Sequence, residues 1–195
     1  MAAPNKPPML YVLAGFALVL GTFGTLYATS SAAQYLLSRD QFVQQYREQA
    51  EKQLHLPGEH ATREQLLQLC EREADALYAR RGLSISLAAM NAILSMLLFA
   101  GAARAMRGLK WGLSAWSLAA SASIPYTVLA LTASIVEARD LLAIYRPLGA
   151  LGDDLSFARR LLLAWSEVKA AVEILYFGAC VIYLRRPSLR KLFTT

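Results

Sequence analysis

Lys169 and Glu173 are the residues whose type and position most demand a chemical explanation. They are a base and an acid four positions apart, inside an apolar stretch at residues 161–184. At 100° per residue they share one helical face with Trp165, Tyr176, Cys180 and Tyr183, a polar and aromatic stripe. An ionisable group at the middle of a bilayer costs about 2.5–3.5 kcal/mol on insertion scales, so it normally faces a bundle interior with a partner. Two chemistries fit: a proton- or ion-coupled site, or a neutralised pair that fixes helix register or partner choice. The second is favoured, because the stretch has a single pair and lacks the glycine-interrupted half-helices and inverted repeats of transporters. Asn91 is expected to donate to the carboxylate from another helix. The candidate intramembrane polar site is therefore Lys169, Glu173, Asn91 and Tyr176.

Other reactive residue types are sparse. His55, Glu59, His60 and Glu64 surround a Pro57-Gly58 turn, but their spacing matches no zinc pattern, and a solvated turn is expected. Asp153 and Asp154 fall far short of the six to eight oxygens of a calcium site, and instead suit the start of a helix. Cys70 and Cys180 should lie about a bilayer apart, too far for a disulfide within one chain. Cys70 is expected to be a small buried residue, with pairing between two chains as the alternative on an oxidising side. The sequence has no glycine-rich phosphate loop, Cys-x-x-Cys pair or aspartate-rich phosphate-transfer motif. No catalytic, cofactor or metal residue is assigned, and the chain is expected not to be an enzyme.

The elements that position these residues follow from hydropathy. Of 195 residues, 56% are hydrophobic and only 17% charged, with the charges gathered between long apolar runs. A bilayer core of roughly 30 Å needs about 20 apolar residues in a helix. Four runs reach that length, at residues 9–29, 83–103, 111–136 and 161–184. The first three lack the polar face that a soluble bundle requires. The first is read as an uncleaved span, since its apolar region of about 20 residues exceeds the 7–15 of a signal peptide. The fold class expected is an all-α membrane protein, a four-transmembrane helix bundle with an extracytoplasmic helical hairpin between the first and second spans.

Residues 30–82 are too long for a simple connection and rich in helix formers. Tyr35, Leu36, Phe42, Val43, Tyr46, Ala50 and Leu54 form one apolar stripe, and Leu66, Leu67, Cys70, Ala74, Leu77 and Tyr78 another. Thr62 and Gln65 read as a capping box opening the second arm. Each arm is expected to continue without a break into its span. Residues 137–160 form an external loop, read as a helix extension followed by a turn. Small and polar seams should close the bundle: Ala17, Gly21, Thr25 and Thr29 in the first span, Ser84, Ala88, Asn91, Ser95 and Ala102 in the second. In the third, Ser114, Ser117, Ser121 and Thr132 are expected on the packed side, near a kink at Pro125.

Orientation follows from the short loops. The tail at 1–8, the loop at 104–110 and the tail at 185–195 hold eight basic residues and no acid, whereas segments 30–82 and 137–160 hold eleven basic and twelve acidic residues. Both termini are thus expected on the cytoplasmic side. The net charge of +6 becomes juxtamembrane charge facing anionic lipid, with no nucleic-acid partner implied. Abundant Ala, Leu and Arg suggest a bacterial chain of the inner (plasma) membrane. The expected partners are membrane lipids and either a protein partner or a second copy. The expected role is a scaffold or membrane-complex subunit, with a small proton- or ion-coupled transporter or channel subunit as the alternative.

Overall fold

A computed structural model describes residues 7–53 and 63–193, and the side chains of all of these except 49–53, 63–66, 150 and 151. The His55–His60 turn and Thr62 lie outside the described residues, and Glu64 and Gln65 are described as backbone only. Among the described residues the structure is all-helical. In chain order it comprises α1 (Pro8–Tyr35), α2 (Arg39–Gln53), α3 (Arg63–Ala79), α4 (Arg81–Met106), α5 (Lys110–Tyr145), a 3-10 turn (Arg146–Leu148), α6 (Ala150–Leu184) and a short α7 (Pro187–Lys191).

Three helical segments are long and apolar enough to cross a membrane: Pro8–Tyr35, Arg81–Met106 and Lys110–Leu148. The fourth apolar run lies within α6, where Glu167, Lys169 and Glu173 interrupt it. The chain divides into two compact units.

The first unit comprises Met1–Ser30, Leu87–Leu129 and Lys169–Thr195. Its buried cluster gathers Leu10 and Ala14 of α1, Leu98 and Ala102 of α4, Trp116 and Ala120 of α5, and Phe177 and Leu184 of α6. Small residues let these helices approach closely. A Cβ on Gly21 would sit 2.7 Å from the Ser95 carbonyl oxygen, and one on Gly101 2.6 Å from the Trp116 amide nitrogen. Outward, the same helices show Phe16, Phe23, Ile93, Leu118, Val172 and Ile182, all more than half exposed. An apolar shell around a small-residue interior suits a surrounding of lipid, where tight van der Waals packing holds helices together.

Of the seams predicted for α1 and α4, Ala17, Gly21, Ala88, Ser95 and Ala102 are buried and Thr25, Ser84 and Asn91 half-buried, but Thr29 is exposed. In α5 the buried face is instead Leu113, Trp116, Ala120, Ser123 and Thr127, while Ser114 and Thr132 are exposed. The indole of Trp116, fully buried, outweighs four hydroxyls that can bond their own helix. Ser121 Oγ indeed donates to the Ser117 carbonyl at 2.8 Å. α4 ends where Gly108 takes φ +87°, and its amide donates to the Ala105 carbonyl, the left-handed closure that glycine adopts without penalty.

The second unit comprises Ser31–Ser86 and Ala130–Val168. Here α2 and α3 form an antiparallel pair. The start of α2 meets the end of α3 through a forked Arg39–Asp75 pair, with both N–H···O distances at 2.9 Å, and Arg47 meets Glu71 at 3.6 Å further along. Tyr35, Phe42, Tyr46 and Tyr78 join in ring contacts with centroids 5.6–6.3 Å apart. Leu69 packs on Leu141 and Tyr145, while Arg80 pairs with Asp140 and Arg159 with Glu137.

The expected unbroken passage from spans into arms is corrected. Residues 36–38 leave the helix, and α2 starts afresh behind a reciprocal cap in which the Ser38 amide donates to Gln41 Oε1 at 3.2 Å and the Gln41 amide to Ser38 Oγ at 3.4 Å. A single turn residue, Arg80, separates α3 from α4. The last long helix also begins earlier than its apolar run, at Ala150 just after Gly149 at φ +59°. Asp153 therefore lies in its first turn and not at its cap, still near the positive end of the helix dipole.

Candidate functional site

Within the first unit Glu173 is the single acidic residue, against nine basic ones. Its carboxylate is about three-quarters buried, and Lys169 Nζ lies 3.7 Å from Oε1. Thr127 Oγ1, from α5, donates to Oε2 at 3.3 Å. Tyr126 stands within electrostatic reach of both Glu173 and Tyr27. Lys169 leans over the Tyr27 ring at 5.8 Å, a cation–π approach from α1, yet its side chain stays 62% exposed. An acid on α6, a hydroxyl on α5 and a ring on α1 are thus drawn together by the packing of one bundle.

The other predicted members sit elsewhere. Asn91 Nδ2 donates to the Gly24 carbonyl at 3.4 Å and Asn91 Oδ1 accepts from Ser95 Oγ at 3.3 Å, so this amide clamps α1 to α4 instead of reaching Glu173. Tyr176 donates its hydroxyl to the Leu13 carbonyl at 2.8 Å and packs its ring between Phe16 and Phe177. Cys180 is buried beside Tyr176, while Trp165 is 69% exposed. The stripe is therefore graded along α6, from outward-facing at Trp165 and Lys169 to fully enclosed at Cys180.

A carboxylate offers about four acceptor positions, and here one hydroxyl and one ammonium are seen to serve it. Thr127 was legible only in retrospect: it lies on the α5 face opposite Pro125, on the side where the indole of Trp116 packs.

A second polar cluster, in the second unit, escaped the sequence. Glu73 is 8% exposed, and Tyr46 donates to its Oε2 at 2.7 Å. Tyr145 stands within electrostatic reach of the same carboxylate, and Cys70 and Arg159 stand within reach of the Tyr145 hydroxyl. Burial pushes the Tyr46 hydroxyl well above its ordinary range, and the adjacent Glu73 carboxylate adds to this. The available signal was position: Glu73 falls three residues after Cys70, on the apolar stripe of α3.

Neither cysteine is in a disulfide, and no group of three His, Cys, Asp or Glu side chains capable of holding a metal occurs among the described residues. The site and fold define an all-helical chain whose three apolar helices suit a membrane. Compared with protein-family models, curated proteins and solved structures, the chain matches none.

Proposed function

We propose that this chain is a multi-pass protein of a bacterial plasma membrane that acts as a non-enzymatic scaffold or complex subunit. In this reading it has four spans, both termini cytoplasmic, and the α2–α3 hairpin outside. The hairpin and the outward face of α6 are its docking surfaces for another protein or a second copy. The carrying observation is Lys169: a charged side chain 62% exposed on a face that also presents Trp165, Val172 and Leu175. A lipid-facing ammonium retains an unmet demand for acceptors even after snorkelling, and a neighbouring helix with an acid or carbonyl would meet it.

A photo-crosslinking residue placed at Leu175 tests this directly in membranes. Protein adducts there, absent when the same probe replaces Val12 of α1, are the expected result. Lipid adducts alone at Leu175 would refute the docking face.

The second reading, a proton- or ion-coupled carrier or channel subunit, is favoured by one feature, the largely buried Glu173 side chain facing both Lys169 and Thr127. The double variant Lys169→Leu and Glu173→Gln separates the two. A scaffold keeps its hairpin-dependent assembly, whereas a carrier inserts normally and loses activity.

A further inference from the structure

The first unit carries nine basic residues against one acid, and that acid already faces Lys169. Seven of the remaining bases fall in two short segments: Arg104, Arg107 and Lys110 around the α4–α5 turn, and Arg185, Arg186, Arg190 and Lys191 after α6. All seven are exposed. The fold brings the two segments to one end of the unit. Leu189 and Phe193, each 3% exposed, bury themselves in the same cluster as Ala105, Leu113 and Leu184, so α7 folds back under the bundle instead of trailing away. The Arg186 amide closes on the Tyr183 carbonyl at 3.2 Å, and the α7 amides of Leu189 and Arg190 close on Arg186.

Two guanidinium groups are also steadied against rings at this end. Arg104 lies 5.5 Å over Trp111, and Arg186 lies 5.5 Å over Tyr183. Tryptophan and tyrosine favour the headgroup level of a bilayer, and an arginine stacked there offers its N–H fork to phosphate oxygens at reduced entropic cost. A flexible basic tail would give diffuse attraction only. Here packing of Leu189 and Phe193 fixes the positions of the tail cations beside those of the turn.

We propose that the α4–α5 turn and the folded-back α7 together form a binding surface for anionic phospholipid headgroups, with Arg104 and Arg186 as its stacked contacts. Charge complementarity selects the occupant: a surface of seven bases without an acid repels other cationic groups and attracts the negative leaflet surface within a Debye length. The inference rests on the chain lying in a membrane, and not on what the hairpin or α6 binds.

Native mass spectrometry of the full chain in detergent, titrated with phosphatidylglycerol or phosphatidylcholine, tests it. Phosphatidylglycerol should be retained in preference to phosphatidylcholine, and the preference should shrink in high salt. The variants R104Q/R107Q/K110Q and R185Q/R186Q should each weaken phosphatidylglycerol retention about tenfold or more, whereas R72Q/R146Q/R160Q, on exposed residues of the other unit, should not. Circular dichroism separates misfolding of a variant from loss of the surface, and the salt series on the unaltered chain needs no variant. Equal retention of the two lipids, indifference to salt, or unchanged binding in both basic-segment variants would overturn the proposal. So would full displacement by dilute inorganic phosphate, which would make it a free-phosphate site. Equal retention would leave the membrane reading intact.

Discussion

Glu73 shows how much a single buried carboxylate can organise. It receives the Tyr46 hydroxyl from α2 and has Tyr145, at the end of α5, within electrostatic reach, so one acid on α3 sits beside polar groups of two further helices of its unit. Tyr46→Phe should destabilise that unit by about 1–3 kcal/mol, since it leaves the carboxylate one donor short in a dry setting. Denaturant melts of the variant and parent measure this, and an unchanged midpoint would contradict it. Tyr46 also makes a pH prediction. Its folded-state pKa lies above the ordinary 10.0, so its contribution is complete below pH 10.0 and declines as pH rises beyond it, because the unfolded chain loses that proton first. An alkaline melt series should show stability falling above that point, with a shallower fall in Tyr46→Phe. Gly101 offers the matching test in the first unit. Gly101→Ala would press a methyl toward the Trp116 backbone and should cost about 1–3 kcal/mol, read as an earlier thermal transition in detergent.

At the scale of elements, apolar length was the readable quantity. Runs at 9–29, 83–103 and 111–136 fall within helices of 28, 26 and 36 residues, because a helix that buries its backbone bonds internally is what such a run can form. Breaks were harder to see. Ser38 and Gln41 spell a cap, yet they sit between two helix-forming stretches, and the periodicity around them continues on both sides. The face of α5 was misread for a related reason. Hydroxyls on a helix satisfy themselves on the preceding turn, so a serine row carries little directional information, whereas the volume of Trp116 does. Asn91 turns toward α1 and not toward Glu173, because its partner depended on which helix lay nearest, a matter of tertiary packing. Ser38→Ala should remove the restart of α2 at a cost of about 1 kcal/mol. Hydrogen exchange localised to the first turn of α2 would report it, while the rest of the unit should exchange as before.

For the whole molecule, charge is the clearest organising principle. The unit holding Met1–Ser30, Leu87–Leu129 and Lys169–Thr195 carries nine bases and one acid, and the other eleven bases and thirteen acids. A partition of this kind along a chain of 195 residues matches the asymmetry by which membrane insertion fixes orientation. The proposed four-span arrangement makes a direct prediction. In a background free of Cys70 and Cys180, a cysteine at exposed Ser38 should react with an impermeant maleimide in intact cells. One at exposed Ser188 should react only after permeabilisation. Labelling of Ser188 from outside would reduce the number of crossings to three.

The polar groups that meet on α6 also bear on how the chain is made. Tyr27 and Thr127 precede Lys169 and Glu173 in the sequence, so in the proposed four-span arrangement the ring and the hydroxyl would enter the bilayer before the charges that use them. Taken alone, α6 is a poor candidate for insertion, with three ionisable residues in its apolar run. Its entry should therefore depend on helices already in place, which makes the last helix a checkpoint on the earlier ones. A chain with a damaged α1 or α5 would be expected to leave α6 stranded outside the bilayer and open to proteolysis.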